Sequence, residues 1–267
     1  TFPGACVPNG LVQLSPDTRT DGYNDWDGAS GYHYSDSVIY GFSHTHLSGT
    51  GVSDLCDVLL MPMRGFHSSD PNDYHSPFRK ETEQAHAGYY SVHLDQPDVR
   101  AELTATKRVG VHRYSMPPSL DLYLLIDLRH RDQLLNASFT ITPNNEVVGT
   151  RRSSSWASDQ QLFFVIQFSK PISIVNADSA NAAVLVHNDG TPLIVKVAIS
   201  AVSIEGARTN LEAEVPHWDF DHVRAEAEAA WNAKLNKIQV EGGTREEQRI
   251  FYTALYHCYV APYIFND

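Results

Sequence analysis

Short apolar runs separated by turn residues fill the chain from about residue 5 to residue 205, and this texture constrains the fold more than any other feature. Many runs of this length, with no helical periodicity between them, are typical of an antiparallel β-sandwich or barrel. The clearest runs are Leu11–Leu14, Val58–Met61, Tyr89–Leu94, Leu122–Ile126, Leu162–Ile166 and Leu193–Ile199. Gly110 interrupts the segment 101–114, where it predicts a bulge or a close approach of another chain segment.

After Pro216 the apolar spacing changes from two residues to three and four, which predicts amphipathic helices. The first stripe comprises Phe220, Val223, Ala227, Ala230, Trp231 and Leu235, and Asp219 or Asp221 can cap its start. Thr244 followed by Glu247 predicts a capping box that opens a second helix. The apolar face of that helix comprises Ile250, Phe251, Ala254, Leu255 and Cys258, and Pro262 ends it.

These two textures divide the chain into three regions. Residues 1–215 are predicted to form an N-terminal β-sandwich domain, 216–243 a helical linker, and 244–267 the start of a truncated α-helical domain. The apolar content of residues 250–265 indicates a partner that lies outside this sequence. The alternative is that both helices simply pack on the sandwich.

Charge and composition exclude several functional classes. Lys and Arg number 20 against 32 Asp and Glu, which gives a net charge of −12 and argues against nucleic-acid binding. No apolar run reaches the roughly 20 residues that span a bilayer. An acidic surface is compatible with uncharged sugars and with calcium. The three cysteines are widely spaced and favour buried apolar positions over disulfides or zinc ligands.

The segment 17–57 is dense in Asp, His, Tyr, Ser and Gly and poor in aliphatic residues. Aromatic faces stack on the C–H face of a sugar, while carboxylates and hydroxyls bond its oxygens. Trp26, flanked by Asp25 and Asp27, is therefore a candidate sugar platform, although a Trp packed at a sandwich edge has the same signature.

His44 and His46 are predicted to lie on one strand face, an arrangement that can hold a metal. A third ligand such as Asp36, Asp54 or Asp57 would be needed, and none stands at a diagnostic spacing. Structural histidines are therefore favoured, and no metal ligand is assigned in this chain. The sequence also identifies no pair of facing carboxyl groups of the kind that glycosidases use.

Seven sequence blocks make the chain resemble glycoside hydrolase family 92, the calcium-dependent exo-α-mannosidases. The blocks are Thr1–Ala5, Val12–Thr18, Ser30–Asp36, Ile39–Gly51, Gly88–Val92, Leu103–Gly110 and Phe251–His257. The resemblance implies a galactose-mutarotase-like antiparallel β-sandwich, a helical linker and the first helix of a truncated (α/α)6 barrel. It also implies that the active site lies between sandwich and barrel.

The resemblance further implies an inverting mannosidase that acts on N-glycans or mannan, is secreted or periplasmic, and uses calcium. The acid, the base and the main calcium ligands would come from the barrel, so no catalytic residue is expected in this chain, which would be inactive alone. Trp26 and Asp25 are expected to contact the terminal mannose, with His44 and His46 near the cleft. Partners would be mannose-containing glycans and the helical domain. The rival interpretations are a non-catalytic carbohydrate-binding sandwich and a glycoprotein-deglycosylating amidase.

Overall fold

A computed structural model describes residues 2–21, 26–118 and 120–267, and it consists mainly of antiparallel strands. The strands are β1 Ala5–Cys6, β2 Gln13–Asp17, β3 Val38–Ile39, β4 Gly41–Ser43, β5 Leu59–Met63, β6 Ser76–Pro77, β7 Gln84–His86, β8 Tyr89–Leu94, β9 Val99–Ala105, β10 Val109–Ser115, β11 Leu122–Asp127, β12 Gln133–Thr142, β13 Glu146–Ser154, β14 Gln160–Phe168, β15 Ile172–Ala177, β16 Asn181–Val186 and β17 Leu193–Ser200. The α-helices are α1 Pro71–Tyr74, α2 Ile204–Glu214, α3 Phe220–Leu235 and α4 Arg245–Val260.

The strands form two large sheets and one small one. One sheet has the order β1-β2-β4-β5-β11-β16-β15, the other has the order β12-β13-β14-β17-β10-β9-β8-β7, and β3 pairs with β6. A continuous core between the two large sheets contains Phe42 and Leu60 from one and Leu103 and Phe164 from the other, all with 0% exposure. The predicted antiparallel β-sandwich is confirmed.

Gly110 is a close-approach point and not a bulge. It pairs in regular register with Ala105 and Val197. A Cβ at this position would lie 2.8 Å from Cδ2 of His44 and 3.2 Å from Cδ2 of Leu14. Only glycine therefore lets β10 lie this close to the side chains of the facing sheet.

Helix α2 is absent from the sequence prediction. Ser203 caps it by accepting from the Gly206 N–H, and it covers the outer face of the eight-stranded sheet. Only Ala207, Asn210 and Leu211 are buried in it. Two buried apolar residues among charged ones make a weak periodic signal, which explains why the pattern did not reveal it.

The two predicted terminal helices are confirmed, together with their caps. Asp219 caps α3, whose buried face matches the predicted stripe at Phe220, Val223, Ala227 and Trp231. The capping box of Thr244 and Glu247 opens α4. Trp231 is 0% exposed and donates from Nε1 to the carbonyl oxygen of Cys6 at 2.6 Å, so α3 ties down the first strand.

The end of the chain returns to its beginning. The Asn9 N–H donates to the Tyr259 carbonyl at 2.9 Å, and the Ile264 N–H donates to the Asn9 carbonyl at 3.0 Å. Gln13 donates from Nε2 to the carbonyl oxygen of Val260 at 3.0 Å. Ser200 donates to the Asp267 carboxylate at 2.8 Å. Residues 259–267 thus pack on the sandwich, and the predicted boundary at 244 remains a prediction.

The predicted apolar face of α4 lies open in this chain. Ile250 is 62% exposed, and only Val260 in this helix is buried. Cys258 is exposed as well, so the expectation of a buried thiol is wrong there, whereas Cys6 and Cys56 are buried as expected. All three thiols are free.

Candidate functional site

Trp26 projects from a turn at one end of the sandwich and is 78% exposed. The edge of its indole lies against the backbone of Gly51, where no Cβ would fit. Arg131 holds this turn, because its guanidinium donates to the Gly28 carbonyl and, at 3.0 Å, to the hydroxyl of Ser53. The indole is therefore a supported flat surface that faces solvent. Asp25, its predicted companion, lies outside the described residues.

A second exposed indole, which was not predicted from the sequence, stands on the same rim. Trp156 is 70% exposed in the turn between β13 and β14. Its neighbours anchor this turn: Ser155 donates to the Ser53 carbonyl at 2.7 Å, and the Ala157 N–H donates to the Asp54 carboxylate at 2.9 Å. The turns that carry the two indoles thus share one support, the segment around Ser53. The sequence signal that could have identified Trp156 is its position directly after a run of serines.

His44 lies in the core as part of a neutral hydrogen-bonded chain. Its Nδ1 is 2.6 Å from the Val58 carbonyl, which can only accept, so Nδ1 carries a proton. Its Nε2 then accepts from Nε2 of His112 at 2.9 Å, and Nδ1 of His112 accepts from the Tyr114 hydroxyl at 2.9 Å. Burial lowers the pKa of His44 to about 4 and that of His112 well below its usual range.

His46 joins a second buried group centred on Asp17. Its Nδ1 lies 2.6 Å from the Gln13 carbonyl, and its Nε2 lies 3.1 Å from Oδ1 of Asp17. Nε2 of His130 lies 3.5 Å from the other carboxylate oxygen. Burial raises the pKa of the Asp17 carboxyl, but the adjacent imidazoles of His46 and His130 outweigh it and hold that pKa far below its usual range.

Neither predicted histidine has exposed surface, since His44 and His46 are both 0% exposed. Each would therefore influence a sugar through the residues it positions and not by direct contact. Their assignment as substrate contacts remains a prediction, and the burial weighs against a direct role.

A buried carboxyl pair lies beneath the rim. The Leu55 N–H donates to both Oδ1 of Asp54, at 3.0 Å, and Oδ2 of Asp132, at 2.8 Å. Burial raises the pKa of the Asp132 carboxyl to about 7, and the nearby carboxylates of Asp57 and Asp54 add to the rise against the opposing charge of Arg151. The pair holds a proton near neutral pH. From the sequence, Asp54 is predicted only as a conceivable metal ligand, and Asp132 is not predicted at all.

This pair does not have the geometry of an inverting glycosidase. Inverting enzymes place their two carboxyl groups roughly 6.5–9.5 Å apart so that a water fits between them. Two oxygens that share one N–H donor are closer than that. The expectation that the acid and base lie elsewhere remains a prediction.

Calcium prefers six to eight oxygen ligands. Within the described ranges 2–21, 26–118 and 120–267, the three-residue group whose ligand atoms converge within 4.8 Å is Asp17, His46 and Cys56. Two of those atoms are nitrogen and sulfur, so this group does not fit calcium. The calcium expected from the resemblance, with ligands mainly outside this chain, thus remains untested.

The comparisons with known proteins agree with this architecture. The model of the glycosyl hydrolase family 92 N-terminal domain matches residues 1–241. The chain belongs to glycosyl hydrolase family 92, through the N-terminal domain of that family, which confirms the resemblance.

Solved relatives have the same fold along nearly the whole chain. A family 92 α-mannosidase from Bacteroides thetaiotaomicron is 32% identical, with a TM-score of 0.88 over 100% of this chain and 40% of its own. An inverting family 92 mannosidase from the same organism is 28% identical, with a TM-score of 0.84 over 98% of this chain and 37% of its own.

A protein named an uncharacterized secreted glycosidase from Arthroderma benhamiae is 26% identical over 98% of this chain and 39% of that protein. The chain thus spans about two fifths of the length of these relatives. Among the described residues, no helix is long and apolar enough to cross a bilayer.

Proposed function

We propose that the full-length protein is an inverting exo-α-mannosidase, secreted or periplasmic, that hydrolyses terminal α-mannosides of N-glycans or mannan. The observation that carries the proposal is the 32% identity and the shared fold with a family 92 α-mannosidase over the whole of this chain. The name of the Arthroderma benhamiae relative supports secretion.

In this proposal the chain forms one wall of an active site between two domains. The exposed indole of Trp26 would stack on the C–H face of mannose, and Trp156 on the same rim would extend the aromatic surface. The open apolar face of α4 around Ile250 would pack against the helical domain. Calcium, when bound to that domain, would orient the hydroxyls of the mannose and stabilise developing charge.

The test uses the full-length protein and a simple α-mannobioside. We expect β-mannose as the first product by NMR, since inversion turns an α-linkage into a β-anomer. Activity should be lost with a calcium chelator and return with added calcium. Activity that survives complete chelation would exclude the calcium part, and initial release of α-mannose would exclude inversion.

The contribution of this chain is tested by Trp26→Ala. We expect kcat/KM to fall at least about tenfold, equivalent to about 1.4 kcal/mol of lost transition-state binding. Trp218→Ala is the matched control, since Trp218 is 41% exposed on the connection that leads into α3 and lies over Lys196. Equal losses in both variants would contradict a sugar contact by Trp26. Residues 1–267 alone should release no mannose.

A further inference from the structure

In the buried group around Asp17, two hydrogen-bond acceptors face each other. Nδ1 of His46 lies 2.6 Å from the Gln13 carbonyl and must donate to it, since a carbonyl has no proton to give. In a neutral imidazole Nε2 then presents a lone pair, and it faces Oδ1 of Asp17 at 3.1 Å. The Ser43 hydroxyl, 3.2 Å from Nε2, has one proton to share. A cation between nitrogen and carboxylate would relieve this contact: a second proton or a metal ion.

Three further polar atoms of this group are buried and make no hydrogen bond of good geometry, although Nε2 of His130 lies 3.5 Å from Oδ2 of Asp17. Within residues 2–21, 26–118 and 120–267, Oδ2 of Asp17 and both ring nitrogens of His130 make no hydrogen bond. Asp17 is 0% exposed and His130 is 3% exposed. An unsatisfied buried polar group costs about 1–3 kcal/mol, and a charged one costs more. One added proton on His46 leaves most of this deficit in place.

Cys56 completes a set of ligands. The Sγ of Cys56, a carboxylate oxygen of Asp17 and a ring nitrogen of His46 all lie within 4.8 Å of one another. Tetrahedral N and O ligands at zinc distances of about 2.0–2.1 Å are about 3.3 Å apart, which matches the 3.1 Å between His46 and Asp17. A zinc-bound imidazole usually donates its other N–H to a carbonyl or carboxylate, as His46 does to Gln13.

The surrounding backbone closes the group against solvent. A Cβ on Gly31, whose φ is +89°, would lie 3.0 Å from Cδ2 and 3.1 Å from Nε2 of His46. Leu55, Cys56 and Val58 have φ values of 77°, 62° and 55°, which cost non-glycine residues of order 1–3 kcal/mol each. This conformation keeps the Cys56 side chain in the core, where it is 1% exposed.

We propose that Asp17, His46 and Cys56 bind a structural Zn²⁺ ion, with His130 beside the other carboxylate oxygen of Asp17. Thiolate, imidazole and carboxylate are all ligand types that zinc accepts, whereas calcium prefers oxygen ligands alone. Binding converts the Cys56 thiol to a thiolate and releases its proton to solvent. The ion would tie the segments around β2, β4 and β5 together beneath the rim that carries Trp26. It differs in place and in element from the calcium of the proposed function.

The experiment uses the full-length protein purified without chelators, with zinc and calcium measured separately by mass spectrometry. We expect about one zinc per chain and, after exchange into cobalt, a thiolate-to-cobalt charge-transfer band in the near ultraviolet. Cys56→Ser should abolish the band and weaken zinc binding at least about tenfold. Cys258→Ser, which changes an exposed thiol, should keep both.

Two results would overturn the proposal. One is purified protein that contains almost no zinc, gives no cobalt–sulfur band and shows no rise in unfolding temperature on zinc addition. The other is a Cys56→Ser variant that binds zinc as tightly as the unchanged protein. The cobalt spectrum of the unchanged protein decides the question even if Cys56→Ser fails to fold, and mannosidase activity enters neither outcome.

Discussion

The carboxyl pair of Asp54 and Asp132 predicts that Asp132→Asn stabilises the protein at alkaline pH. The rise of the Asp132 pKa from 3.8 to about 7 means that the folded state holds a proton that the unfolded state releases. The stability from this group is complete below about pH 3.8 and is lost as the pH rises through about 7. At about 1.4 kcal/mol per pKa unit, the loss above pH 7 is about 4 kcal/mol.

Asparagine at position 132 mimics the protonated acid. Its amide oxygen can accept from the Leu55 N–H as Oδ2 of Asp132 does at 2.8 Å, and its amide N–H can donate to Asp54. We expect no gain near pH 4 and a gain of up to about 4 kcal/mol above pH 8. Urea unfolding of the full-length protein, followed at several pH values, measures this gain.

Two further variants make the experiment decisive. Asp54→Asn should destabilise at every pH, because the two oxygens of Asp54 accept from two backbone N–H groups, those of Leu55 and Ala157. Asp73→Asn changes an exposed carboxyl in α1 and should show little effect. The reasoning is refuted if Asp132→Asn gains the same amount at acid and alkaline pH, or if it destabilises above pH 8.

Three other predictions concern the sandwich. The buried imidazoles should weaken the fold in acid, because the neutral form of His44 is fully favoured only above about pH 6.5. About 3 kcal/mol of folding stability is lost as the pH falls to about 4. Unfolding midpoints should therefore fall from pH 7 to pH 4, and they should fall less in His112→Phe. Gly110→Ala should cost about 1–3 kcal/mol by crowding His44, whereas Gly65→Ala, with its nearest neighbour at 3.5 Å, should be nearly neutral in urea unfolding. Trp231→Ala should cost about 3–5 kcal/mol by thermal or urea unfolding, and Trp231→Phe should cost clearly less. A negligible loss in Trp231→Ala would instead mean that α3 is only a peripheral cover of the sandwich.

The sandwich and its terminal helices were predictable because their signals are local. Runs such as Leu122–Ile126 report a strand by themselves, and the capping box at Thr244 and Glu247 needs only four residues. Helix α2 was not predicted, because its buried face consists of little more than Ala207 and Leu211. Periodicity is visible only where enough apolar residues repeat.

The candidate site was less predictable because its groups meet only after folding. The segment 17–57 contains Trp26, which its acidic neighbours mark in the sequence and which is exposed in the structure, while its contact with a sugar stays a prediction. The partners of that segment, Asp132 and the neighbours of Trp156, come from β-strand connections 77 to 103 residues away. His44 and His112 are 68 positions apart in the sequence, so no local spacing rule predicts that they pair in the core.

The return of residues 259–267 to the first strands also has a consequence for the order of folding. Asn9 pairs with Tyr259 and Ile264. These contacts close a loop of about 250 residues, so they form late and stabilise the fold only after most of the chain has been ordered. On the ribosome, the edge of the seven-stranded sheet formed by β1 and β2 stays unsealed until α4 has emerged. At an elongation rate of roughly 5–20 residues per second, the wait lasts on the order of ten seconds or more. During that interval the unsealed edge is the part of the nascent sandwich most exposed to mispairing and to chaperones.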